Sequence, residues 1–89
     1  MNNNDNMLKI KDEEGKDKII EVIDMVFDES SNKTYIIYRD FNGEEAFISI
    51  LVETENEFIL DTIEDYEEFK AVEEYEINKL KEEVGDMTL

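Results

Sequence analysis

Lys18-Ile19-Ile20-Glu21-Val22-Ile23-Asp24-Met25-Val26-Phe27-Asp28 is the stretch on which the fold turns. It is rich in β-branched residues, as strands are. Successive side chains of a strand alternate between faces, so Ile20 and Val22 share one face. Ile23, Met25 and Phe27 share the other, and the parity of the apolar set changes in mid-strand. Either both faces are covered here, or an extra residue near Val22 forms a β-bulge that re-aims the strand. The bulge is the expectation, because one helix covers only one face of a sheet.

The flanking segments continue the β pattern. Upstream, Leu8-Lys9-Ile10-Lys11 alternates apolar and polar as a short half-buried strand. Asp12-Glu13-Glu14-Gly15-Lys16 joins the two strands, with Gly15 free to take a positive φ. Downstream, Ser30-Ser31-Asn32-Lys33 has hairpin length, and Thr34 to Arg39 reads as a third strand. Asn42-Gly43 predicts a type I′ hairpin turn, since both residues tolerate positive φ. Ala46, Ile48, Ile50 and Val52 alternate in a fourth strand. Thr54-Glu55-Asn56-Glu57 turns the chain into a short fifth strand, Phe58 to Leu60.

From Asp61 the period changes. Asp61 with Glu64, or Asp65 with Glu68, has the spacing of a helix N-cap answered by an acid three residues later. Tyr66, Phe69, Ile77, Leu80 and Val84 fall within about 80° of one another on a helical wheel and form the expected core stripe. Gly85 is the expected C-terminal boundary. The fold class is α+β: a five-stranded antiparallel meander with one C-terminal amphipathic helix packed on one face. Residues 1–6 are an expected flexible Asn-rich leader, and residues 7–89 form one small acidic domain.

Charge is the strongest compositional feature. The 89 residues carry 26 Asp and Glu against nine Lys and Arg, a net −17. Between residues 7 and 60 there are fourteen acids and six bases, and between 61 and 89 eleven and three. Each part is therefore −8, so acid surrounds the whole body instead of forming a detachable tail. Direct nucleic-acid or anionic-membrane binding, which needs clustered Lys and Arg, is disfavoured. Without Cys or His, thiol chemistry, disulfides, imidazole metal sites and Ser-His triads are excluded. The segment at residues 1–6 lacks the basic and apolar parts of a signal peptide, which makes the cytoplasm the expected compartment.

The order of these signals resembles the YrzB-like family of small acidic bacterial proteins, a domain of unknown function found mainly in Firmicutes. The resemblance rests on Asp12-Glu13-Glu14-Gly15, Val22-Ile23-Asp24-Met25-Val26-Phe27, Tyr35-Ile36-Ile37-Tyr38, and Leu60-Asp61-Thr62-Ile63-Glu64-Asp65-Tyr66-Glu67-Glu68-Phe69. It covers nearly the whole chain after residue 6. The family brings no established activity or catalytic residues. Its genes often lie near one for a predicted Holliday-junction resolvase, which implies a nucleic-acid-handling partner.

Adjacent carboxylates such as Glu13-Glu14, Glu44-Glu45 and Glu73-Glu74 follow from composition. Neighbours on a strand or helix point apart, so they do not make the paired acid and base that catalysis needs. No enzyme, cofactor or defined metal site is expected: Asp12 to Asp17 lacks the calcium-loop pattern, and Asp40-Phe41-Asn42-Gly43-Glu44 is explained by its turn. Arg39, the one arginine, is expected to pair with an acid across strands. The expected function is a non-enzymatic interaction protein binding a basic protein partner. A divalent-cation-responsive domain is the alternative. The candidate partner surface is the outer face of the helix: Glu67, Glu68, Glu74, Tyr75 and Glu82.

Overall fold

A computed structural model describes residues 6–87, with side chains as far as Lys81. Residues 1–5 of the expected leader and residues 88–89 lie outside the described residues. Five strands, β1 (Met7–Lys11), β2 (Asp17–Asp28), β3 (Lys33–Asp40), β4 (Ala46–Glu53) and β5 (Phe58–Asp61), precede one helix, α1 (Tyr66–Met87). Among the described residues, no helix is long and apolar enough to cross a membrane.

The strands follow one another as a meander, each antiparallel to the next, but the sheet closes into a barrel where an open sheet was expected. Four reversals leave β1 and β5 running the same way, so the closing pair must be parallel. It is, at Lys11 opposite Ile59. Polar contacts reinforce the seam. Lys11 Nζ, held 2.8 Å from Asp17 Oδ1 of β2, reaches across the seam to within 4.0 Å of Glu57 Oε1. Glu13 Oε2 accepts the Thr62 backbone N–H at 2.9 Å, and the Thr62 hydroxyl donates to the same oxygen.

Closure has a physical reason. One helix covers one side of a sheet, and a chain this short has no second layer for the other side. Rolling the sheet on itself buries that side without further residues. Ile10, Ile20, Ile36, Tyr38 and Leu60 fill the interior, with Leu8, Val22, Leu51 and Phe58 packed against them. Outside the barrel, Tyr35, Ile63 and Val72 form a second cluster with Val26, Ile48, Ile50 and Phe69. Both faces of β3 are therefore covered, and its four residues Tyr35-Ile36-Ile37-Tyr38 are all buried.

The bulge in β2 lies where the parity change placed it. Val22 pairs with Tyr38 and Asp24 with Ile37, which leaves Ile23 as the extra residue. After it, Val26 faces the outer cluster opposite Tyr35 while Met25 lies opposite the interior residue Ile36. Of the two readings of this stretch the bulge holds: Ile23, Met25 and Phe27 are all exposed, so the second face is not covered. Arg39 pairs across strands with Glu21 at 3.1 Å, as expected.

Two local expectations change. Gly15 has φ 84°, but at Asn42-Gly43 only Asn42 is left-handed, with φ 67°. A type I′ turn needs positive φ at both central residues, so that turn is not formed. Instead Gly43 N–H donates to Asp40 O at 2.7 Å, within a longer connection between β3 and β4. Glycine serves there by its small size: a Cβ would lie 3.1 Å from Asp40 O. The helix continues two residues past Gly85, the expected boundary, to Met87.

Candidate partner-binding groove

The helix start fixes how α1 meets the barrel. Asp65 is the N-cap: its Oδ1 accepts the Glu67 N–H at 3.2 Å, and its carbonyl accepts the Phe69 N–H at 3.0 Å. Glu68, in place to complete a capping box, turns to the sheet instead. Its Oε2 accepts the Tyr35 hydroxyl at 2.5 Å and the Lys33 ammonium at 3.0 Å. The Tyr35 hydroxyl, followed by Lys33, holds the Glu68 carboxyl below its ordinary value. Burial, reinforced by the Glu68 charge, pushes the Tyr35 phenol up to about 12. Three turns further along, Lys79 donates to Asp24 Oδ2 at 2.7 Å. Burial raises Asp24, but hydrogen bonding, with Lys79 foremost, outweighs it, and the carboxyl lies below its ordinary value.

These anchors rotate α1 away from the expected orientation. Val72, only 7 % exposed, and Phe69 face the barrel, flanked by Glu68 and Lys79. Val72 lies roughly 110° round the helix from the expected core stripe. Of that stripe, Phe69 packs inward, whereas Tyr66 is 72 % exposed, Ile77 45 % and Leu80 51 %. The Val84 side chain lies outside the described residues. These partly buried, charge-assisted hydrogen bonds hold α1 in an orientation that the apolar periodicity alone does not give.

The rotation opens a groove of about 610 Å³ between α1 and the barrel. Ile37, Ile48 and Phe69 lie in it, together with the partly exposed Phe47 and Ile77. Phe47 is braced by Tyr38, at a ring-centroid distance of 5.6 Å. Glu45 and Glu73 supply the charge, Glu76 hydrogen-bonds to Asp24, and no lysine or arginine lines the groove. Glu73 accepts Lys70 at 2.9 Å from the helix side. Glu73 and Glu76 stand on α1, and Glu45 precedes β4, so carboxylates occupy both walls.

The five residues expected to form a partner surface are divided by the fold. Glu67, Glu74 and Tyr75 are exposed. Tyr75 lines a different, smaller cleft of about 330 Å³ beside β2, with Val26, Phe27 and Ala71. Glu68 lines the same cleft but is turned to Tyr35 and Lys33 of the sheet. Glu82 is part of α1, but its side chain lies outside the described residues. Sequence reasoning missed Glu45, Phe47, Glu73 and Glu76 as neighbours. No local signal joins β4 to α1, and only the rotation of the helix brings them together.

Among the described residues, no group of three or more acidic side chains is placed to hold a metal ion. Comparison with protein-family models, curated proteins and solved structures found no match to this chain.

Proposed function

We propose that the protein is a non-enzymatic, cytoplasmic interaction module that seats a basic segment of a partner protein in the groove between α1 and β4. The observation that carries this reading is the lining of the groove. Apolar side chains lie between carboxylates on both walls, and no cationic side chain joins them. The carboxylates favour a cationic partner and repel an anionic one, and the net −17 steers such a partner from a distance. The exposed Phe47 and Ile77 give a bound segment something to bury. Spaced carboxylates can also occupy a basic groove that otherwise holds nucleic-acid phosphates. A nucleic-acid-handling partner, the class implied by the YrzB-like resemblance, is accordingly the favoured one.

Paired charge removals test this reading. Glu45→Gln with Glu73→Gln removes charge from the groove while sparing Glu76. Glu67→Gln with Glu74→Gln removes the same charge from the outer helix face. Basic proteins retained by the parent at low salt should be lost from the groove variant and kept by the outer-face variant. The opposite pattern would move the binding surface to Glu67, Glu74 and Tyr75.

A further inference from the structure

We infer that the basic segment enters this groove as an added β-strand, hydrogen-bonded along the free edge of β4; this rests on the groove being the binding site. Three observations carry it. The first is an edge that the barrel leaves open. β4 pairs with β3 from Ala46 to Leu51, but with β5 only from Ile50 to Glu53. Ala46, Phe47, Ile48 and Ser49 are therefore bonded on one side alone. Beyond Asp61 the chain leaves the ladder: the Thr62 N–H donates to Glu13 Oε2, and Ile63 joins the outer cluster. In an antiparallel pair, alternate residues turn their N–H and C=O away from the partner strand. Two of these four residues thus present a donor and an acceptor each, and none of the described residues hydrogen-bonds to them.

The second observation is where the groove runs. Successive side chains of a strand point to opposite faces, so a cavity over one face of β4 would meet only every other residue. Here Glu45, Ala46, Phe47, Ile48 and Ser49 line the groove without a gap. It therefore follows the edge of the strand, with Phe69, Glu73 and Ile77 of α1 as the opposite wall. An extended segment gains affinity at such an edge through main-chain hydrogen bonds. Four residues of it, about 13 Å at about 3.4 Å each, span Ala46–Ser49.

The third observation selects the occupant. Glu45 and Glu73 line the groove and call for Lys or Arg, while Ile48, Phe69 and Ile77 receive apolar side chains. A strand places alternate residues on opposite faces, so basic and apolar residues should alternate in the segment. A second copy of this chain brings a further −17 and is opposed by it. The other open edge, at residues 24–28 of β2, is blunted. Its Met25 N–H is taken by Asp24 Oδ1 at 2.9 Å, and the Lys79 ammonium sits on the same carboxylate.

A synthetic peptide of about six residues, alternating leucine and lysine, covers the edge. Along a strand, alternate N–H groups point to the same side. N-methylating the leucines therefore blocks one edge of the peptide, and N-methylating the lysines blocks the other. Binding of the unmethylated peptide and of both methylated forms is measured by calorimetry at low salt. One methylated form should lose about ten-fold or more in affinity, and the other should stay within about two-fold of the unmethylated peptide, because only one edge faces β4. Glu45→Gln with Glu73→Gln should weaken the unmethylated peptide several-fold. Equal affinities of the two methylated forms, with that charge effect intact, would overturn the strand inference and leave the basic-segment reading standing. Failure of all three peptides to bind would overturn both. Dimerisation of the protein that the unmethylated peptide competes away would also overturn the inference, by showing that a second copy takes the edge.

Discussion

Replacing Val72 by alanine removes about two methylene equivalents from the contact between α1 and the barrel. At about 0.8 kcal/mol each, the lost burial is about 1.6 kcal/mol, and a partly collapsed cavity brings the cost to about 2–3 kcal/mol. Leu80→Ala removes one carbon more, but from a side chain that is already 51 % exposed. About half of the transfer free energy was never gained, and alanine is a slightly better helix former, so the loss should stay below about 1 kcal/mol. The periodicity of the sequence predicts the reverse order, because it places Leu80 in the core stripe and leaves out Val72. Urea unfolding followed by far-ultraviolet circular dichroism measures both variants, and an unchanged slope validates the comparison. A loss at Leu80 equal to or larger than that at Val72 would refute the orientation of α1, and with it the groove.

Three further outcomes follow from the charges. The Tyr35 phenol, raised to about 12 in the folded protein, ionises near 10 when unfolded. Its contribution is complete below about pH 10 and is lost as pH rises toward 12; Tyr35→Phe should abolish this alkaline loss, and titration of all tyrosines together near 10 would contradict it. The Glu68 carboxyl, held below its ordinary value by Tyr35 and Lys33, stabilises the fold above that ordinary value and stops doing so as pH falls through the depressed one. Glu68→Gln should therefore flatten the acid limb of the stability–pH curve, and an acid limb as steep as the parent's would show that the contact is not formed. Raising monovalent salt from about 0.01 M to about 0.15 M shortens the screening length from about 30 Å to about 8 Å. With net −17 the melting temperature should rise, whereas a fall would mean that the ion pairs outweigh the repulsion.

Element order was readable because each strand and the helix carry their own period and their own turn residues. The bulge could be read because two side-chain parities cannot share one uninterrupted strand. Barrel closure could not be derived from any one segment, since it is a property of how β1 meets β5. A trace of it was present in Tyr35-Ile36-Ile37-Tyr38: four consecutive apolar residues suit a strand buried on both faces. The rotation of α1 was hidden for a different reason. Apolar periodicity weighs Tyr66, Ile77 and Leu80 but is blind to Glu68 and Lys79, whose partners Tyr35 and Asp24 lie 33 and 55 residues away. The same blindness concealed the groove, because its walls come from segments with no sequence relation to each other. The five-residue surface on the helix was chosen by charge and exposure alone, and the structure turns one of its members, Glu68, inward.

The central claim is that the groove between α1 and β4 receives a basic segment, and residue-resolved mapping tests it most directly. Isotopically labelled protein is titrated with a synthetic leucine–lysine peptide at low salt, and backbone amide shifts are followed by NMR. Shifts that saturate and cluster on Glu45, Phe47, Ile48, Glu73 and Ile77 are the predicted result. Shifts that instead concentrate on Glu67, Glu74 and Tyr75, or spread evenly over the acidic surface without saturating, would contradict it.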